Sequence, residues 1–184
     1  MKRNPLIKKE SSVMQFIILR NLKAGLMFLT AIIISIGCEQ KLEKEITNEN
    51  EAYKKTMDRL VEEVWNNQNL NILAEVFIED ADMHLGGLDY NLKGIPDIRE
   101  KYIHPTLIAF PDIKHGYDKL IIEGDMVTMM FYGQGTHKEE YDGTPATNKV
   151  LRYRGMAFFR MEGNLIAEVW THSNWATHFA ELTK

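Results

Sequence analysis

Four side chains near the end of the chain could carry out acid/base chemistry. Glu168, Trp170, His172 and Asn174 are spaced two residues apart in an alternating segment, so they lie on one face of a strand. An imidazole suits a general base, and a nearby amide could hold its tautomer or bind a developing enolate oxygen. We identify His172, Asn174 and Glu168 as candidate catalytic residues and expect this face to look into an internal hollow. The alternative is that His172 is a hydrogen-bonded strand residue near the rim.

Three further polar residues could bind a ligand. His84 lies in a short strand, and His137 ends a longer one, where it could contact substrate or cap a turn. Arg152 could bind a carboxylate or carbonyl oxygen, or it could cover the outer face of its strand. Three imidazoles would suffice for zinc, but the spacing of His84, His137 and His172 matches no zinc motif. No metal ligand is therefore predicted.

The pattern of apolar residues predicts helices followed by strands. Helical spacing indicates a helix over residues 51–66, a short second helix capped by Asn69, and a third from Gly94 to before Pro111. Alternation and turn residues predict strands at 83–85, 117–122, 126–137, 149–160 and 165–172. This order is typical of an α+β fold, with the helices on one face of a curved antiparallel sheet that encloses a pocket.

Composition separates a leader from the globular part. Residues 1–38 hold six basic residues and one acidic residue, whereas 39–184 hold 16 basic and 25 acidic residues. The uncharged apolar run 24–37 suits the core of a secretory signal, and the polar stretch 39–50 predicts a solvated tether before the domain at 51–184. The single cysteine excludes an internal disulfide, and the net charge of -4 gives no support for a nucleic-acid partner.

The leader ends in Ser35-Ile36-Gly37-Cys38, which resembles the lipobox of bacterial lipoproteins. The resemblance implies lipidation of Cys38 and a location in the bacterial cell envelope, with the membrane contacted only through the lipid. The alternatives are a plain cleaved signal or an uncleaved anchor.

An ordered set of short motifs extends over about residues 51–180. The motifs are Val64-Trp65-Asn66, Ala109-Phe110-Pro111-Asp112-Ile113, Glu123-Gly124-Asp125, Gly135-Thr136-His137, Gly143-Thr144-Pro145 and Gly163-Asn164-Leu165-Ile166-Ala167-Glu168-Val169-Trp170. The set resembles the SnoaL-like polyketide cyclases, or ester cyclases, of the nuclear-transport-factor-two-like superfamily.

The resemblance implies a cone-shaped α+β barrel that admits a small hydrophobic ligand and acts without metal or organic cofactor. It also implies a pocket lined by Trp170 and, in many relatives, a homodimer formed through the sheet. The family's acidic residue four positions after this tryptophan is replaced by Asn174, which cannot take a proton at neutral pH. Three functions therefore stay open: a cyclase-type enzyme with His172 as base, a non-catalytic hydrophobic ligand-binding module, and a structural domain that serves a partner.

Overall fold

The computed structural model describes residue 41 and residues 43–86 and 91–184. The chain divides into two compact units, Met1–Asn48 and Glu49–Lys184. In the first unit, residues 43–48 of the predicted tether are helical and exposed. The predicted leader and Cys38, the predicted lipidation site, lie outside the described residues. Within the described part, no helix is both long enough and apolar enough to cross a membrane.

The first helix of the second unit buries the apolar side that the sequence predicts. Helix α1 covers residues 49–59 and continues in π-helical geometry over Leu60–Asn66. Its spacing places Tyr53, Met57 and Val64 in the core. The predicted second helix is a 3-10 helix, Leu70–Glu75, and the Asn69 side chain caps it by accepting the Asn71 N–H at 3.3 Å.

Helix α2 runs without a break through three segments, Gly94–Ile98, Arg99–Ile103 and His104–Ala109, and the middle segment is π-helical. Pro105 explains the irregular turn, because it lacks an N–H and its ring crowds the carbonyl four residues earlier. A third helix that the sequence analysis did not predict, α3, spans Trp175–Leu182.

The sheet has six strands in the order β2-β1-β6-β5-β4-β3. The strands are β1 Phe77–Leu85, β2 Asn91–Lys93, β3 Lys114–Glu123, β4 Met126–Thr136, β5 Val150–Glu162 and β6 Leu165–Ser173. The predicted α+β fold with N-terminal helices on a sheet is confirmed. The sheet is mixed rather than antiparallel throughout, because β1 pairs in parallel with β6, and it is not closed.

Strand β3 begins earlier than its predicted start at residue 117. Gly116 reads as a strand breaker in the sequence, yet it pairs with Tyr132 of β4, whose ring occupies the space of a Cβ at this glycine. Tertiary packing therefore extends the strand back to Lys114. A bulge between Tyr117 and Lys119 shifts the register further along the same strand.

The helices pack against one face of the sheet, and this inner face supplies Val127, Met129, Leu151 and Phe159 to the core. The opposite face, called here the outer sheet face, exposes large apolar side chains. These are Ile121, Met130, Tyr132, Met156, Phe158 and Trp170.

Candidate functional site

A cavity of about 70 Å³ lies between the helices and the inner face of the sheet. This volume is enough for roughly five water molecules or one compact organic ligand. Most of its lining is apolar, and polar groups come from Tyr102, His115 and Thr171. The lining residues are Leu60, Val61, Trp65, Phe77, Met83, Tyr102, Ile103, His115, Gly116, Met129, Phe131, Ala157, Phe159, Val169 and Thr171.

The end of α1 holds His115 in place at the start of β3. Asn66 Oδ1 accepts the His115 backbone N–H at 2.7 Å, and Asn66 Nδ2 donates to the His115 carbonyl at 3.0 Å. The ring of Trp65 packs on the imidazole with 4.4 Å between ring centroids. The Trp65-Asn66 pair of the sequence motif therefore fixes both the backbone and the ring of a cavity histidine.

His115 reaches Tyr153 across an intervening strand because that strand has a glycine between them. Gly133 of β4 is the register partner of His115 on one side and of Tyr153 on the other. A Cβ at Gly133 would overlap the Tyr153 ring. The bare glycine leaves room for the Tyr153 hydroxyl to form a hydrogen bond with His115 Nε2.

The other ring nitrogen of His115, Nδ1, is buried and has no hydrogen-bond partner among the described residues. Burial lowers the pKa of His115 to about 3, so the imidazole is neutral at physiological pH. Burial also raises the pKa of Tyr102 and of Tyr153, and the nearby Tyr141 adds to both shifts. This wall of the cavity is polar but uncharged.

The predicted catalytic face points the other way. On β6 the inward side chains are Val169 and Thr171, whereas His172 and Trp170 are exposed on the outer sheet face. Glu168 is half-buried on that same face. The expectation that this face looks into the hollow is therefore wrong. Strand alternation correctly groups these residues, but alternation does not say which face a helix covers.

Two of these residues join His84 in a cluster on the outer sheet face. His84 Nε2 and Glu168 Oε1 are 2.8 Å apart, and the His84 ring stacks on Trp170 at 5.3 Å between centroids. Arg160 Nε lies 3.3 Å from Glu168 Oε2. The cluster lies outside the cavity lining, so the cavity gives no support for the predicted substrate-binding role of Trp170 and His84, which stays a prediction.

The remaining candidates are separated from the cavity lining as well. His137 is fully buried, with its ring between Phe110 and Phe179 and its Nδ1 at 3.2 Å from Thr147 Oγ1. Burial lowers the pKa of His137. Arg152 is exposed on the outer sheet face, so its side chain is not in the cavity either.

Asn174 is exposed and connects β6 to α3. Its Oδ1 accepts the Arg154 N–H at 2.8 Å, its own N–H donates to the Arg154 carbonyl at 3.1 Å, and its Nδ2 lies 3.4 Å from His178 Nε2. His178 Nδ1 in turn bonds the Arg152 carbonyl at 2.7 Å. The amide thus joins the last strand to the last helix.

The three histidines considered for zinc lie in different places, since His84 and His172 are on the outer sheet face and His137 is in the core. Over residues 41, 43–86 and 91–184, no three His, Cys, Asp or Glu side chains are grouped as metal ligands.

His115, Tyr153 and Gly133 are site residues that the sequence patterns do not predict. The predicted strand starts two residues after His115, which leaves this histidine in a loop. Strand alternation places Tyr153 on the face opposite Arg152, which is the signal that could have found it. The pairing that brings it to His115 depends on the register of three strands and is not visible in local sequence.

The fold and the cavity define an α+β protein with an apolar pocket between helices and a curved sheet. Residues 55–182 match the family model of the SnoaL-like polyketide cyclases, and the chain belongs to this family. No curated protein matches the chain significantly.

Solved structures share the fold. A candidate SnoaL-like polyketide cyclase from Jannaschia sp. CCS1 aligns with a TM-score of 0.66 at 15% identity, covering 72% of this chain and 92% of that one. A candidate polyketide cyclase from Acidithiobacillus ferrooxidans aligns with a TM-score of 0.63 at 23% identity, covering 72% of this chain and 94% of that one. IdmH, a candidate polyketide cyclase from Streptomyces antibioticus, aligns with a TM-score of 0.61 at 25% identity, covering 72% of this chain and 99% of IdmH.

Proposed function

We propose that this protein binds a small, uncharged, apolar carbonyl compound in the cavity and converts it by acid/base chemistry without a cofactor. The observation that carries the proposal is the cavity itself, an apolar chamber whose polar groups, from Tyr102, His115 and Thr171, are all uncharged. A charged ligand would lose its hydration there without gaining an ionic partner, whereas a neutral carbonyl compound needs only one hydrogen bond.

Membership of the cyclase family supports this substrate class. The reaction type is transfer of the proton next to the carbonyl to a water molecule in the cavity, followed by its return to another position of the same molecule, which gives an isomer or a closed ring. Such a step needs hydrogen-bond donors aimed at the oxygen on which negative charge develops. Tyrosine hydroxyls and a neutral imidazole are suitable donors.

The test measures exchange of α-protons for deuterium in cyclohexanone and in a β-keto ester, using the full chain in D₂O. Wild type should accelerate exchange, and Ala157→Leu should abolish the acceleration because Ala157 lines the cavity. The matched control is Met156→Leu, the neighbouring residue on the outer sheet face, and it should behave as wild type. Equal exchange with and without protein would contradict the enzymatic proposal.

The second candidate function is a non-catalytic binding module. Apolar side chains dominate the cavity lining, which favours retention of a ligand over its turnover. A copurified apolar compound that is released only on unfolding, with no proton exchange in either probe, would establish this alternative. Rapid exchange would exclude it.

We also propose a homodimer through the outer sheet face. Several large apolar side chains are exposed together there, among them Met130, Met156 and Phe158, and they lie on adjacent strands. A contiguous apolar patch of this kind is typical of a protein–protein interface.

A final proposal concerns location. Lipidation of Cys38 would anchor the protein in the bacterial cell envelope and leave the domain outside the lipid. Intact mass spectrometry of the mature N-terminus tests it, because a diacylglycerol-modified Cys38 and an unmodified cleavage product differ in mass.

A further inference from the structure

His115 has one ring nitrogen occupied and one that lacks a partner. Nε2 bonds the Tyr153 hydroxyl, while Nδ1 is buried and unpaired among the described residues. An unpaired buried polar group is costly, since it has given up water without gaining another hydrogen bond. Because His115 also lines the cavity, a cavity ligand can become the partner of this atom once the side chains that close Nδ1 off from water move aside.

Hydrogen-bond satisfaction selects one tautomer of the neutral ring. If Nε2 carried the proton and donated it to Tyr153, both the hydroxyl hydrogen of Tyr153 and the lone pair of Nδ1 would lack partners. If Tyr153 donates to Nε2, only the Nδ1–H is unpaired, since His115 is the only hydrogen-bond partner of this hydroxyl among the described residues. The second arrangement leaves fewer donors and acceptors without a hydrogen-bond partner. Nδ1 is then a hydrogen-bond donor.

We propose that His115 Nδ1–H is a binding site for the carbonyl oxygen of an uncharged ketone or ester, and that Tyr153 is the positioning residue that fixes its tautomer. The inference rests on the proposed function only in placing such a ligand in the cavity. It holds for an enzyme and for a binding module, because binding the oxygen does not require a proton to move.

Several features prepare the site for this role. The Asn66 hydrogen bonds fix the His115 backbone, and Trp65 covers the ring, so little conformational freedom is lost when a ligand binds. The imidazole is neutral down to acidic pH because burial opposes its protonation. A neutral donor in an apolar chamber favours a neutral acceptor over a carboxylate, whose charge would be desolvated without a counter-charge.

The first test measures the tautomer by ¹⁵N NMR of the full chain with ¹⁵N-labelled histidine. The His115 signals are identified as those that disappear in the spectrum of His115→Phe. Wild type should show a protonated Nδ1 and an unprotonated Nε2 at neutral pH. Tyr153→Phe should give a mixture of the two tautomers. A protonated Nε2 in the wild type would overturn the proposal without any ligand being present.

The second test compares cyclohexanone with methylenecyclohexane, which has nearly the same shape but no oxygen. In NMR titrations, His115→Phe should lower the binding preference for the ketone over the hydrocarbon by about fivefold. The carbonyl stretch of bound cyclohexanone should lie at lower wavenumber in wild type than in the variant. The matched control is His137→Phe, which removes the other buried histidine with an unpaired nitrogen and should leave the preference unchanged.

The outcomes separate the two proposals. If both probes bind and His115→Phe leaves their ratio unchanged, the carbonyl site is wrong while the cavity remains a ligand site. If neither probe binds to wild type, the proposed function fails, and the carbonyl site fails with it.

Discussion

Asn174, one of the candidate catalytic residues, makes hydrogen bonds in the structure that join the last strand to the last helix. The family resemblance places an acid at this position, and its replacement by an amide raised the question of whether the chemistry survives. In the structure the amide bonds the Arg154 N–H and lies beside His178 at the junction of β6 and α3. The amide oxygen accepts from the Arg154 N–H and the amide nitrogen can donate to a neutral His178 ring, whereas a carboxylate would need His178 Nε2 to be protonated.

Replacing Asn174 should therefore affect stability rather than ligand binding. We expect Asn174→Ala to lower the free energy of unfolding by about 1 kcal/mol, because the Arg154 N–H loses its side-chain acceptor. Urea denaturation measures the change, and Asn174→Asp serves as the control that retains an acceptor oxygen. Weaker cyclohexanone binding at unchanged stability would show that Asn174 acts at the ligand instead.

The buried histidines should make stability depend on pH. His115 has a pKa of about 3 when folded and about 6.5 when unfolded, so between these values the unfolded chain binds more protons. The contribution of neutral His115 to the free energy of unfolding is therefore complete above its unfolded-state pKa. It decreases as the pH falls toward its folded-state pKa. His137 acts with the same sign, because burial lowers its pKa also.

For His115 alone we expect a loss of about 2 kcal/mol between pH 7 and pH 5. Urea denaturation at both pH values measures it, and His115→Phe should show a smaller loss than wild type. The same loss in both proteins would contradict the assigned pKa.

At the scale of elements, the row His115–Gly133–Tyr153 depends on the absence of a side chain in the middle strand. In Gly133→Ala the new methyl would overlap the Tyr153 ring and push it from His115. We expect a loss of about 2 kcal/mol in the free energy of unfolding, together with a mixture of His115 tautomers. Urea denaturation and ¹⁵N NMR measure the two effects.

A control on the same strand separates this packing effect from strand propensity. Thr128→Ala changes a residue that pairs with Phe158 on the outer sheet face and should leave the His115 tautomer as in wild type. Wild-type tautomer populations in Gly133→Ala would show that the glycine is not needed for the contact.

Local patterns predict most elements but not their partners. Apolar spacing was sufficient for α1 and α2, and alternation was sufficient for β4 to β6. The extension of β3 to Lys114 depends on Tyr132 packing over Gly116, and the parallel pairing of β1 with β6 joins residues far apart in sequence. Helix α3 follows a strand directly and is too short for a strong periodic signal. His115 was not predicted as a cavity residue because it lies in this extension of β3, which depends on a tertiary contact.

At the scale of the whole molecule, the outer sheet face is expected to mediate dimer formation. Phe158→Glu places a carboxylate in the centre of the exposed apolar side chains, where a partner would have to desolvate it. We expect wild type to be dimeric and this variant monomeric by light scattering. Ile108→Glu is the control, since Ile108 is equally exposed but lies on α2 rather than on the sheet. Identical masses for Phe158→Glu and wild type would contradict this interface.

The irregular edges of the open sheet affect how copies of the protein associate at high concentration. Strand β3 ends the sheet on one side, and its bulge follows Tyr117 while Lys114, Asp118, Lys119 and Glu123 are exposed along it. Charges and a local twist discourage a foreign strand from hydrogen-bonding to such a border. On the other side the last strand, β2, has only three residues, Asn91–Lys93, and pairs with Asp82, Met83 and His84 of β1. Both edges therefore disfavour edge-to-edge growth of the sheet, and association through the outer sheet face does not require either edge to pair.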